Sequence, residues 1–389
     1  MTSTLITGIG ELRTGDDVLG TLPGAAVVLD GDRVAWLGPS GRAPDADHRV
    51  DVGGRAVLPG WVDSHTHLLF AGDRAAEFAA RSSGVRYTAG GIMATVTATR
   101  AASDAELAAT LRRHAAEALR QGTTCLETKT GYGLTVADEL RSARIAAAEP
   151  DMVDEVSFLG AHLVPPEVPA QDYLRLVTGE MLDAVAPYVG WVDVFCEDGA
   201  FGAEAAGEVL AAGRERGLGL RVHGNQLGPG PGVALAVRAG AASVDHCTHL
   251  SRSDVDALAA SDTVATLLPA CDLSCRSPLP DVRALLDAGA TVALATNCNP
   301  GSSYTTSMAF CVATAVLQLG MSVDEALRAA TLGGARALRR EAGDGAVGVL
   351  RPGARADVQV LDAPSAVYLA YRPGVPLTWA VWRRGRRVV

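Results

Sequence analysis

No stretch of this 389-residue chain approaches the roughly 18 consecutive apolar residues that a membrane-spanning helix needs. The N-terminal segment Met1-Thr2-Ser3-Thr4-Leu5-Ile6 lacks the charged and apolar regions of a signal peptide. Positive charge is also short. Thirty-four Lys and Arg stand against 44 Asp and Glu, and the net charge of −10 argues against nucleic acid or an anionic membrane as partner. A small anionic substrate stays open, because local arginines can overrule a global charge. The cysteines number 7, an odd and scattered set, so reduced thiols are expected rather than a disulfide scaffold, and the cytoplasm is the expected compartment. No Gly-x-Gly-x-x-Gly loop opens the first helix, which counts against a doubly wound dinucleotide-binding sheet. What is present, 48% hydrophobic and 20% charged residues, is ordinary for a globular protein with a sizeable core. The length suits one large domain plus a smaller one.

Both ends of the chain read as short strands with tight turns. Ala26-Val27-Val28-Leu29 and Val34-Ala35-Trp36-Leu37 flank Asp30-Gly31-Asp32, a hairpin signal. Val347-Gly348-Val349-Leu350 and Ala356–Leu361 read as strands, and a last hairpin turns at Arg384-Gly385. Short sheets need partners, so residues 1–58 and 346–389 are expected to combine into one small β domain. Between them, apolar strands alternate with alanine-rich helices; Ser103 and Glu106 resemble a capping box that opens one of these helices. Eight such units over roughly 280 residues match a (β/α)8 barrel, placed at residues 59–345.

In such a barrel the chemistry sits at the carboxyl ends of the strands. Those ends carry His65 and His67, Lys129 with Tyr132, His162, Glu197, His223, His246 and Asn297. A lone histidine on an apolar strand is more often a hydrogen-bonded core residue than a ligand. Four strand ends bearing histidine, in a chain with 8 histidines, are better explained by one convergent site. Residues His65 and His67 stand one apart and so face the same way along a strand, a natural pair of ligands for zinc or iron. His223 is the third choice of ligand. A carboxylate would normally complete the set at the last strand, but this chain has Asn297, whose carbonyl oxygen can bind a metal yet cannot take a proton.

The chain resembles the imidazolonepropionase family of the amidohydrolase superfamily almost end to end. The resemblance rests on Val62-Asp63-Ser64-His65-Thr66-His67, Gly90-Gly91-Ile92, Ala98–Ser103, Lys129-Thr130-Gly131-Tyr132-Gly133-Leu134, Phe158–His162, Asp193–Glu197, His223-Gly224-Asn225-Gln226-Leu227 and Asn299-Pro300-Gly301-Ser302. It implies a TIM barrel of the metal-dependent amidohydrolase type with a small β-sandwich built from both termini. The activity implied is hydrolysis of the cyclic amide of 4-imidazolone-5-propanoate to N-formimidoyl-L-glutamate, in histidine breakdown. It also implies one zinc or iron ion on His65, His67, His223 and the position of Asn297, and a homodimer. Arg74 would hold the propanoate by its fork, and Tyr132, His162 and Gln226 would line the imidazolone. Asn299, Gly301 and Ser302 would meet the product's polar end, and Tyr87 would close the pocket. His246 would move a proton near the attacking water, with Gln226 and Asn297 sharing the catalytic centre.

The family has aspartate where this chain has Asn297, and there it both touches the metal and accepts the water's proton. The segment Leu268–Cys275 and the threonine at Thr130 also depart from the family pattern. Cys271, Cys275 and Cys298 fall near the last strand ends, where buried thiols are the expected reading over zinc ligation. Three functions follow. The first is the family reaction, with His246 or Asp272 moving protons. The second is a divergent amidohydrolase acting on a related nitrogen heterocycle. The third is a homologue that binds ligand without turnover. Arg74, Tyr132, His162 and Asn299 favour the first, and Asn297 favours the others.

Overall fold

The computed structural model describes residues 2–84 and 91–389. Eight strands form one sheet in chain order: Trp61–Asp63, Thr123–Lys129, Glu155–Ala161, Trp191–Cys196, Gly219–Gly224, Ser243–His246, Val264–Leu267 and Val292–Leu294. Successive pairs from the second strand onward run parallel, for example Phe195 opposite His223 and Gly224 opposite His246. Past the ends of the first and eighth strands the chain closes the ring. Asn297 N–H donates to the His65 carbonyl at 3.0 Å, and His67 N–H donates to the Cys298 carbonyl at 2.9 Å. These strands are buried along nearly their whole length, as expected of a parallel sheet covered on its outer face by helices.

The helices between them start where side chains can cap them. Ser103 and Glu106 form the reciprocal pair: Glu106 Oε2 accepts from the Ser103 N–H at 2.8 Å, and Ser103 Oγ accepts from the Glu106 N–H. Ser251 with Asp254 and Ser322 with Glu325 repeat the device. The helical segment Ala170–Val185 is interrupted. Gly179 adopts non-helical angles inside a wide turn at Val177–Met181, which splits the segment. Pro269–Cys275, within the segment that departs from the family pattern, is a short helix with Pro269 in its first turn.

The terminal segments form two further sheets, one of four strands drawn from residues 3–51 and one of six drawn from both ends of the chain. In the second, Gln359 pairs with Leu58 and Leu12 with Val57, so the termini share one ladder. Val27 and Leu29 from the first sheet pack with Leu12, Val57, Val358 and Trp382 from the second, all essentially inaccessible. This is a β-sandwich core. Val347–Leu350, expected as a strand, is not one. Gly348 at φ +73° turns the chain, so Val347, Val349 and Leu350 reach different apolar clusters instead of alternating on a ladder. The described chain divides into two compact units: residues 2–64, 117–125 and 307–389, and residues 65–84, 91–116 and 126–306. Every candidate site residue within the described set lies in the second unit.

Two helix-interior glycines give opposite predictions. At Gly334 a Cβ would lie 2.3 Å from the Val62 carbonyl oxygen, whereas at Gly207 its nearest neighbour is Leu235 at an ordinary 3.9 Å. Gly334→Ala should therefore lose about 1–3 kcal/mol by overpacking, while Gly207→Ala should gain about 0.5–1 kcal/mol from helix propensity. Urea unfolding of the two variants checks both signs.

Candidate metal centre and active site

His65 and His67 lie just beyond the first barrel strand, completely buried, with their Nε2 atoms 3.3 Å apart. Thr66 between them points the other way, its hydroxyl donating to the Glu127 carbonyl. The alternation expected of the pair survives past the end of the strand because the backbone there is still bridged on both sides. His223, on the fifth strand, places its ring centroid 4.5 Å from that of His65 and 5.6 Å from that of His67. One nitrogen from each of the three lies within 4.8 Å of the others.

Two carboxylates turn these rings. His65 Nδ1 donates to Asp245 Oδ2 at 2.6 Å, and His223 Nδ1 donates to Asp193 Oδ1 at 3.0 Å. Each bond fixes a tautomer that leaves the Nε2 lone pair pointing inward. His223 Nε2 is buried without a hydrogen-bond partner among the described residues. Burial, reinforced by Lys129 for His65 and by the neighbouring rings for His67, holds both imidazoles well below the usual range, so they stay neutral, as ligation requires. Three converging nitrogens, one of them with an unpartnered position, fit a divalent metal ion.

The orienting carboxylates are anchored in turn. Lys129 Nζ sits 2.8 Å from both Glu127 Oε1 and Asp193 Oδ2, and Arg221 reaches Asp245 Oδ2 at 3.2 Å. Burial opposes ionisation of Asp193 and Asp245. Their partners outweigh it, chiefly the donating His223 ring and Lys129 for Asp193 and Arg221 for Asp245, and hold both far below the usual carboxylate range. Asp193, Asp245, Glu127 and Arg221 belong to the site without carrying a role in the sequence motifs. Their signal was available, since each is a charge inside an otherwise apolar strand and a buried charge needs a partner.

A cleft of about 370 Å³ opens beside the three histidines. Arg74, Tyr132, His162, Gln226, His246, Asn297, Asn299 and Ser302 all line it. His162 stacks on His67 and donates from Nδ1 to the Gly131 carbonyl at 2.9 Å. Burial lowers it to about 4, leaving a neutral ring with a lone pair on Nε2. His246, at the end of the sixth strand with φ +81°, has a buried Nδ1 without a partner among the described residues, and burial lowers its affinity for a proton. Gln226 is held by its backbone N–H on Glu197, and its side-chain amide lies 3.8 Å from Cys271 Sγ. Asn297 has φ +52° and a buried Oδ1 without a partner among the described residues. Asn299 spends its amide on the loop: Nδ2 donates to the Asn297 carbonyl and Ser302 Oγ, and Oδ1 accepts from the backbone of Gly301 and Ser302. Gly301 stands against Arg74. Tyr87 lies outside the described residues. No cysteine belongs to either group of clustered metal-ligand atoms among the described residues.

Asp272 is buried, accepts from Thr248 on Oδ1, and has no partner for Oδ2 among the described residues. Burial raises its carboxyl from 3.8 to about 7. The folded chain therefore keeps a proton that the unfolded chain has released, and stability from this group falls as pH rises between those two values. Asp272→Asn should flatten that fall and raise the melting temperature more at pH 8 than at pH 5. Glu197, also raised to about 7 by burial, leaves a residual slope. Thermal melts across pH 4–8 read the difference.

A model of the Amidohydrolase family matches residues 198–384. The imidazolonepropionase of Saccharopolyspora erythraea is 75% identical over 388 residues, covering 100% of this chain and 99% of that protein. The imidazolonepropionase of Streptomyces coelicolor is 62% identical over 396 residues, covering 100% and 99%. Among solved structures, a zinc-bound adenosine deaminase from Xanthomonas campestris superposes with a TM-score of 0.75 at 20% identity, covering 99% of this chain and 92% of that one. An atrazine chlorohydrolase from Arthrobacter aurescens complexed with zinc gives 0.75 at 20% identity, covering 99% and 95%. These two share the fold. The full-length identities go further, and the chain belongs to the imidazolonepropionase family of amidohydrolases.

Proposed function

We propose that this chain hydrolyses the ring amide of 4-imidazolone-5-propanoate to N-formimidoyl-L-glutamate, a step of histidine degradation, as a cytoplasmic homodimer. The observation that carries the reading is the buried His65, His67 and His223 cluster beside a cleft that a buried guanidinium, Arg74, lines together with His67 and His223. The imidazoles suit a cation and the guanidinium suits a carboxylate, so a heterocycle bearing an acid side chain is held at both ends.

A zinc or iron ion on His65, His67 and His223, with Asn297 Oδ1 as a fourth donor, would polarise the ring carbonyl and acidify water. The protein's own groups supply the rest. Arg74 holds the propanoate and so fixes the orientation that brings the ring carbonyl to the centre. His162 Nε2 accepts a hydrogen bond from a ring N–H, and Tyr132 packs at its flank with ring centroids 5.5 Å apart. Water adds to the carbonyl carbon while His246 Nδ1 takes its proton. The C–N bond then breaks, and the same proton passes to the departing ring nitrogen, so no net charge is left on the enzyme. Gln226 lies within the same cleft and offers an amide hydrogen to the developing oxyanion.

Asn297 is the weak member of this set. It is neutral and accepts no proton, so His246 must carry the base role unaided. That observation also supports a second reading, binding without turnover. Asn297→Asp should raise kcat by about 100-fold or more, the scale of one preorganised polar group at a reacting centre. Steady-state rates on imidazolonepropanoate decide the matter. Turnover by both forms supports the family reaction, turnover by the aspartate variant alone supports the second reading, and activity in neither form sinks the assignment. Separately, Asp245→Asn should weaken metal retention by about 10–100-fold, because His65 loses its orienting carboxylate. Metal content after titration with a chelator measures it.

A further inference from the structure

We infer that Glu77 determines the charge specificity of the cleft: it binds one edge of the Arg74 guanidinium and leaves the other edge, with a single unit of positive charge, for a ligand carrying one carboxylate. The inference rests on the proposal above that Arg74 receives the substrate's acid group. Arg74 Nε donates to Glu77 Oε2 at 2.7 Å, and Arg74 Nη2 donates to Glu77 Oε1 at 2.6 Å. That is a bidentate fork on the side edge of the guanidinium. A guanidinium has a second such edge, formed by Nη1 and Nη2, and Nη2 has a hydrogen for each. A substrate carboxylate can therefore join Arg74 without evicting Glu77.

Arg74 lines the cleft, and only glycine fits beside its two Nη atoms. Nη1 lies against the backbone of Gly301, where a Cβ would come within 2.1 Å of it, and a Cβ on Gly91 would meet Nη2 at 2.1 Å. Gly301 belongs to the same Asn299–Ser302 loop whose ends line the cleft. Arg81 lies on the same helix, Ala75–Ser82, with Nη1 3.7 Å from Glu77 Oε1, and it pins the helix by donating to the Gly301 carbonyl and to Ser274 Oγ. Arg74, Glu77 and Arg81 together carry two positive charges and one negative. The surplus of one matches a monoanionic side chain. Without Glu77 the surplus would be two, and Arg74 would lose the carboxylate that fixes the plane of its fork.

Three probes differing only in side-chain charge test this on the metal-loaded full chain by isothermal titration: imidazole-4-propanoate, its primary amide, and imidazol-4-ylmethylmalonate. The wild-type chain should prefer the propanoate over the amide, and Arg74→Gln should remove that preference. Glu77→Gln should shift binding toward the dianionic malonate, relative to the propanoate, by about tenfold, the effect of one charge across several ångströms of partly screened medium. Glu77→Asp, which keeps the charge, should retain most of the wild-type ratio. If Glu77→Gln leaves the malonate-to-propanoate ratio unchanged while Arg74→Gln still removes the preference for propanoate, the inference on Glu77 is wrong and the role of Arg74 stands. If the wild-type chain does not distinguish propanoate from amide, the carboxylate pocket itself is wrong and the inference falls with it.

Discussion

The site depends on one buried chain of charges. Glu127, Lys129, Asp193, Arg221 and Asp245 have no exposed side-chain surface, and they connect the second, fourth, fifth and sixth barrel strands. Desolvating five charges is expensive, and buried ion pairs seldom return that cost as stability. Their arrangement makes sense through what they hold. Asp193 uses one oxygen on Lys129 and the other on His223, while Asp245 Oδ2 meets both Arg221 and His65, so removing Lys129 or Arg221 would leave a carboxylate free to turn away from its imidazole. Lys129 is the sole lysine in a chain rich in arginine. Its compact ammonium can sit between two carboxylates from different strands, where a planar guanidinium would demand a fork-shaped partner.

The same charges explain why Asn297 matters electrostatically as well as chemically. Three carboxylates against two cations leave a surplus of one negative charge beside the three imidazoles. An aspartate at position 297 would make that surplus two, equal and opposite to a divalent cation. With asparagine the ion's charge is only half balanced by this network. The backbone does not require the acid: asparagine tolerates the left-handed conformation at position 297, and its carbonyl is clamped by Asn299. The fold of the loop is thus indifferent to the substitution, while the site's electrostatics and proton handling are not.

Much of this was legible in the chain. Apolar strands ending in His65, His162, His223 and His246 announced both a barrel and the edge on which its chemistry lies, because the period of a strand and the period of the barrel repeat are local signals. What stayed hidden depends on partners distant in sequence. Asp245 turns His65 across 180 positions, and Glu77 acquires meaning only when a helix and the Asn299–Ser302 loop meet around Arg74. Val347–Leu350 misled because an apolar run reads the same whether its side chains alternate on a ladder or scatter into three clusters around a turning glycine.

Arg74 and the histidine centre together impose an electrical direction on the cleft. One part carries a negative surplus that invites a cation, and the other carries a positive surplus of one, set by Glu77, that invites a carboxylate. A neutral ring between two opposite charges has little reason to prefer one orientation, but a ring with a single acid arm has only one that satisfies both. Positioning is then accomplished by charge before any group touches the scissile bond, and in the proposed mechanism the residues that would act there, His246 and Gln226, can remain neutral. Neutrality there is useful. His246 keeps its Nδ1 lone pair only while burial holds it unprotonated, and a second cation close by would hold it unprotonated still more strongly but make it too weak a base to take water's proton. Separating the carboxylate anchor from the proton carrier lets each be tuned without compromising the other.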